Sequence, residues 1–321
     1  MCGIVGFLDR TETNGQAALG RTLLLMLEAL ACRGPDSTGV ALFGTPPDDL
    51  TNQQAGDNRP AHTRANDRFV VRVKLGDRGD FQGRVHQITA LAESLGVTGP
   101  FCTTGSYLRF QIDGGIDQER LVPGIEALDE EIEVVSVGRR LEIIKQVGSP
   151  ANLEKTYCVS QFCGAHGLGH TRLSTESRVD LSHSQPFWGH GLPDLAIVHN
   201  GHITNYHQLR RRYEQRGFRL YTENDSEIIA VYLSDRLTQG RGLEESLRSL
   251  LRDLDGSYSC LVATASQLGF VKDPFALKPL VYTETPGFVA VATEEIAIRS
   301  ALPGDYQVRE AQVKEVHVWE R

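Results

Sequence analysis

The stretch MCGIVGF (residues 1–7) sets a cysteine second in the chain and follows it with Ile4-Val5-Gly6-Phe7-Leu8, which reads as a short strand. With Met1 removed, Cys2 carries a thiol and a free α-amine on one residue. An α-amine has a pKa of about 7.7–8.0 and takes a proton near neutral pH. It then serves as base for its own thiol, directly or through one water. Removal of Met is favoured when the next residue is small, as Cys is. The competing reading is an ordinary buried cysteine that happens to stand second.

Working outward, Leu19, Leu23, Met26, Leu27 and Leu30 share one face and predict a helix from Gln16 to about Ala31. It stops at Arg33-Gly34-Pro35-Asp36, where Gly and Pro supply the break. A strand at Gly39 to Phe43 follows. Thr45 to Arg68 holds three of the thirteen prolines and almost no apolar periodicity, which marks a linker or boundary. The pattern then changes. Strands are predicted at Phe69 to Val73 and Tyr107 to Ile112, and helices at Gln82 to Leu95 and Asp117 to Ile132. A closing hairpin is predicted from Val134–Val137 and Leu141–Ile144. This is close to the split βαβ arrangement of a ferredoxin-like module. From Gly164 onward short strands come with hairpin-sized gaps, at 166–171, 195–199, 258–264, 269–272, 279–283 and 287–292. Helices at 206–217, 226–238 and 243–254 separate the groups. Antiparallel sheets are expected, not a nucleotide-binding parallel sheet.

Composition removes whole classes of function. The chain has 321 residues, 40% hydrophobic and 23% charged, the mix of a soluble globular protein with a real core. Its charge is 33 − 41 = −8 and its pI about 5.7, so a broad nucleic-acid surface is not expected. No apolar run approaches a membrane span, and the N-terminus lacks the basic start of a signal peptide. The six cysteines form no CxxC pair, so no metal is assigned, and reduced thiols of a cytoplasmic protein are the plain reading. No glycine-rich turn has the strand–helix context of a dinucleotide site, and no cofactor is indicated.

Six motifs in order, MCGIVGF (1–7), RGPDSTG (33–39), GHTRLST (169–175), SQPF (184–187), VHNGHITN (198–205) and TENDSEII (222–229), resemble those of the class II glutamine amidotransferases. The resemblance covers roughly two thirds of the chain. It implies an α+β fold, the four-layer αββα sandwich of the N-terminal nucleophile hydrolases. The amidotransferase domain would be discontinuous (2–65 and 149–321), interrupted by a ferredoxin-like α/β module at 66–148. Within the family the chain is most similar to separate amidotransferase subunits related to glutamate synthase, such as the first subunit of N-methylglutamate synthase.

The residue types suit that chemistry. Amide hydrolysis through a thioester needs a nucleophile, donors for a tetrahedral oxyanion, and a clamp for the substrate's ends. The resemblance gives Cys2 as nucleophile and Asn200 with Gly201 as oxyanion donors; an isolated Asn-Gly would otherwise read as a turn. Arg172 offers a planar fork for glutamine's α-carboxylate. Asp225 offers the opposite charge for the α-ammonium, or else a surface salt bridge or a cap to the helix near Ser226. Thr175 belongs to the loop that would close over glutamine. The Arg33–Gly39 loop reads as support for Cys2. His170, His183 and His199 read as packing or hydrogen-bonding residues. Asp80, Asp113, Asp117, Glu130, Glu131 and Glu133 read as a solvated acidic face of the module.

The leading expectation is a glutaminase subunit that converts L-glutamine to glutamate and ammonia. The ammonia would pass to a separate flavin-dependent glutamate-synthase-like partner, since no pyrophosphatase, phosphoribosyltransferase or sugar isomerase motif follows in the chain. About 130 residues separate RGPDSTG from GHTR, far more than the simplest family members carry. Two other readings remain: a hydrolase of another amide with the same N-terminal Cys, and a non-catalytic regulatory subunit of the same fold.

Overall fold

The apolar segment after Cys2 forms β1 (Gly3–Asp9), every residue of it buried. A segment buried on both faces needs partners on both edges. It pairs antiparallel with β8 (Cys163–Arg172) on one side and β14 (Phe288–Ala292) on the other. The computed structural model describes residues 2–11, 17–45, 68–174 and 178–321. The proline-bearing segment 46–67 and Thr175 lie outside these. Adding β2 (Ser37–Thr45), β7 (Leu141–Val147), β13 (Val281–Glu284) and β15 (Arg309–Glu310) gives a seven-stranded sheet of order β15-β13-β14-β1-β8-β2-β7.

A five-stranded sheet faces it. It consists of β9 (Phe187–Trp188), β10 (Ala196–Ile203), β11 (Gly256–Ala263), β12 (Gln267–Lys272) and β16 (Val316–Glu320), ordered β16-β12-β11-β10-β9. Strand periodicity splits its side chains between two cores. Ala196, Val198, Leu261, Ala263 and Leu268 join the cluster shared with β1 and β8, while Ile197, Cys260 and Val262 join the other. Helix α1 (Leu19–Ala29), expected from Gln16, covers the outside of the first sheet beside α8 (Glu295–Ala301). Its Leu23 and Leu27 lie over Gly167 and Gly169 of β8, where a Cβ would stand 3.0 and 2.9 Å from them. Helices α6 (Asp225–Thr238) and α7 (Leu243–Asp253) cover the second sheet. The result is helix, sheet, sheet, helix: four layers in an α+β fold. Helices α4 (Pro150–Tyr157) and α5 (Tyr206–Gln215) complete this part. Among the described residues no helix is long and apolar enough to cross a membrane.

Between β2 and β7 the chain builds a third sheet. Strands β3 (Arg68–Lys74), β4 (Cys102–Thr104), β5 (Tyr107–Asp113) and β6 (Glu133–Gly138) are ordered β4-β5-β3-β6. Helix α2 (Phe81–Ser94) precedes β4 and α3 (Gln118–Glu126) precedes β6. The chain order β-α-β-β-α-β and this strand order make a split βαβ unit.

Three expectations change here. The predicted hairpin is divided: β7 pairs with β2 from Ser37↔Val147 to Phe43↔Leu141, so the inserted sheet ends at Gly138, not at 148. Helix α3 stops at Glu126, because Asp129 forms a turn in which its carboxylate accepts the Glu131 N–H at 2.9 Å. The acidic face is partly structural. Asp80 and Asp117 cap α2 and α3 by accepting the N–H groups of Gly83 and Arg120, and Glu133 is buried.

A buried ionic cluster joins the two parts. Glu142 of β7 meets Arg72 of β3, and Arg109 of β5 grips it with Nε at 3.0 Å and Nη2 at 3.1 Å. Burial alone would push the Glu142 carboxyl up, but the two guanidiniums outweigh it and hold it below the usual range.

Candidate functional site

Cys2 stands at the open end of the central strand, half-buried, with its thiol 3.8 Å from the Leu173 carbonyl oxygen. The next residue must be small: a Cβ on Gly3 would lie 2.7 Å from Thr171 Oγ1 and 2.9 Å from Leu30 Cβ. Thr293 fixes Ile4, accepting its N–H on the hydroxyl at 2.8 Å and returning its own N–H to the Ile4 carbonyl at 2.9 Å. Arg33 donates from Nε to the Cys2 carbonyl at 3.4 Å and forms an ion pair with Glu294.

The Arg33–Gly39 loop braces the end of β8. A Cβ on Gly34 would lie 2.4 Å from the Thr171 carbonyl carbon. The Asp36 N–H donates to Arg172 O at 3.0 Å, and the Asp36 carboxylate accepts the Ser174 N–H at 2.7 Å. Arg172 ends β8, opposite Ser37, and is buried. Its Nη1 donates to Arg178 O at 2.8 Å, across the segment that contains Thr175. Burial lowers the basicity of this guanidinium, and the nearby Asp180 and Asp36 carboxylates oppose that shift.

Asn200 lies on β10 opposite Ser259, two residues from Val198, so its side chain is on the face turned to β1 and β8. It is buried, and its amide nitrogen Nδ2 has no hydrogen-bond partner among the described residues. A buried amide donor left open is uncommon and destabilising by about 1–3 kcal/mol, so it needs an explanation. Gly201 follows at φ +151°, where a Cβ would stand 2.2 Å from Ser257 O.

Asp225 is the first residue of α6. The cap is Asn224, whose Oδ1 accepts the Ser226 N–H at 3.0 Å, so the capping alternative for Asp225 does not apply. Asp225 instead accepts the Ile203 N–H at 2.9 Å, tying α6 to the strand that carries Asn200 and Gly201.

The histidines behave as packing and bonding groups. Burial pushes His170 down to about 3 and lowers His199 as well, so neither is a cation near neutral pH. His199 Nδ1 is 2.9 Å from Ser226 Oγ, and His183 Nδ1 is 2.7 Å from Asp180. Two residues carried no role in the sequence reading. Gln185 bridges His199 and Ser226, receiving the His199 N–H at 2.5 Å and donating to Ser226 Oγ at 3.0 Å. Glu227 takes the N–H groups of Tyr221 and Thr222 at 2.7 and 2.8 Å. Its place three residues after the cap is the capping-box spacing, a signal readable in TENDSEII.

The fold is shared with solved amidotransferases. A structure of the allosteric regulatory enzyme of purine biosynthesis superimposes with a TM-score of 0.60 at 18% identity, covering 99% of this chain and 47% of the other. The glutamine phosphoribosylpyrophosphate amidotransferase of B. subtilis gives 0.58 at 17%, with the same coverages. The chain therefore spans about half the length of these two relatives. By sequence, residues 170–300 match the glutamine amidotransferase domain family. A putative glutamine amidotransferase of Methanothermobacter thermautotrophicus is 32% identical over the whole of both chains. The glutamine amidotransferase-like protein GlxB of Rhizobium meliloti is 32% identical over 93% of this chain and 91% of its own. The chain belongs to the class II glutamine amidotransferases and is an enzyme of that class.

Proposed function

We propose that this chain is a glutaminase subunit that hydrolyses L-glutamine to glutamate and ammonia, with Cys2 as nucleophile. The observation that carries the proposal is the open, buried Asn200 amide on the strand that packs across from β1 and β8, next to a glycine whose backbone no side chain would fit. An unfilled donor in a dry setting is what a developing oxyanion requires. In this reading the Cys2 α-amine takes the thiol proton and the thiolate attacks the γ-amide carbon. Asn200 Nδ2 and the Gly201 N–H hold the oxyanion. The proton then passes to the leaving nitrogen, ammonia departs, and water cleaves the thioester to release glutamate. Arg172 pairs with the α-carboxylate and Asp225 with the α-ammonium, and Thr175 belongs to the closing loop.

Both charges of the clamp favour a zwitterionic amino acid over a simple acyl amide. We further propose a cytoplasmic location and an ammonia-using partner on a separate polypeptide, a flavin-dependent glutamate-synthase-like subunit. Intact mass is the quickest check against a non-catalytic role, which a retained Met1 would favour. Steady-state kinetics test the division of labour. Asn200→Ala is expected to lower kcat about 100- to 1,000-fold with little change in KM, because the oxyanion exists only in the transition state. Arg172→Ala and Asp225→Ala are expected mainly to raise the glutamine KM, because the clamp acts on the ground state too. Equal losses of kcat alone in all three variants would contradict these roles.

A further inference from the structure

Glu126, the last residue of α3 in the inserted unit, is only 3% exposed. One carboxylate oxygen accepts the Val134 N–H at 3.1 Å; the other accepts the Tyr221 hydroxyl proton and lies 4.0 Å from Arg219 Nη1. Tyr221 is on the loop that leads into α6, its ring stacked on His190 at 4.3 Å. From there the contacts continue without a gap. Besides receiving the Tyr221 and Thr222 N–H groups, Glu227 accepts the Thr222 hydroxyl at 2.7 Å. Thr222 Oγ1 in turn accepts the Asn224 N–H at 3.1 Å. Asn224 caps α6, and Asp225 is the next residue.

We propose that Tyr221 and Glu126 are positioning residues for Asp225, through which the inserted unit sets the affinity for the substrate's α-ammonium. This rests on the reading of Asp225 as the glutamine clamp. A carboxylate is a demanding group to bury only for packing, and here burial pushes Glu126 up to about 7. Tyr221 and Arg219 from the loop and Glu133 from β6 are the titratable groups that face it. As pH falls through that value the carboxylate gains a proton, and its hold on Tyr221 and Arg219 weakens. Glutamine affinity should therefore fall toward acid pH, and Glu126→Gln should flatten that dependence.

The test uses the full chain with Cys2→Ala, so that glutamine binds without turnover, and calorimetric titration. Tyr221→Phe and Glu126→Gln are each expected to raise the glutamine Kd about 3- to 10-fold, the size of one lost hydrogen bond, and the double variant little further. With Cys2 present, iodoacetamide should alkylate the Cys2 peptide at an unchanged rate, since that reagent does not use the clamp. An unchanged Kd in both variants, or a weaker Kd with equally altered alkylation, overturns the proposal. Glu126→Gln carries the test where Tyr221→Phe does not fold. Asp225→Asn is run in parallel. If it leaves Kd unchanged, the clamp reading falls and this inference with it; if it weakens binding and Tyr221→Phe does not, only the relay falls.

Discussion

Cys2→Ala is expected to abolish glutamine hydrolysis and labelling by a glutamine-mimicking diazoketone. In the proposed mechanism the thiol is the attacking atom and the α-amine its base, and alanine retains only the second. The other five cysteines lie outside β1 and its N-terminal end. Cys260 is the fully buried thiol, pushed up by that burial, and Cys32, Cys102 and Cys158 are exposed on other elements. Peptide mass mapping locates the label. A Cys2→Ala protein that still reacts, at Cys32 or Cys163, would end the assignment. The same spectra report the start of the mature chain, expected at Cys2.

The second large effect is on stability. Glu142→Ala should destabilise the fold by about 3–5 kcal/mol, since it strands two guanidiniums in the interface between the inserted sheet and the seven-stranded sheet. Arg72 is the harder case: it is 6% exposed and its Nε has no hydrogen-bond partner among the described residues even now. Because the folded pKa of Glu142 is depressed, its contribution is present above the unfolded carboxyl value of about 4.3 and is lost as pH falls below it. Wild type should lose stability through that acid range more steeply than Glu142→Ala. Urea denaturation across pH measures both effects. A loss under about 1 kcal/mol would mean that water already solvates the cluster.

Much of the amidotransferase part of the fold was legible in the sequence. The apolar run after Cys2, the one-faced leucines of α1 and the alternation around Asn200 each follow a period that only one element satisfies. The allegiance of β7 was not legible. Val134–Val137 and Leu141–Ile144 flank an Arg139-Arg140 pair and look like any hairpin. What separates them is Asp194, whose carboxylate accepts the N–H groups of Arg139, Arg140 and Leu141 at 3.0, 3.1 and 3.0 Å from more than fifty residues away. Strand β4 escaped notice because it is three residues long, polar and exposed, with no apolar face to announce it. The Glu126–Tyr221 contact joins residues 95 apart in sequence, and neither residue type signals it. For the site, motif residues could be named, but the open Asn200 Nδ2 donor emerges only once the two sheets are packed together.

The position of β1 has a consequence for biosynthesis. β1 is a central strand, and during synthesis the edge it offers to β14 stays bare until Phe288–Ala292 has been made. Thr293, which fastens Ile4, arrives later still. Residues 3–9 thus wait for partners far along the chain, a pairing of high contact order that folds slowly and leaves an apolar strand exposed meanwhile. A chain truncated ahead of residue 288 would therefore leave the strand after Cys2 without the neighbour and the hydroxyl that hold it.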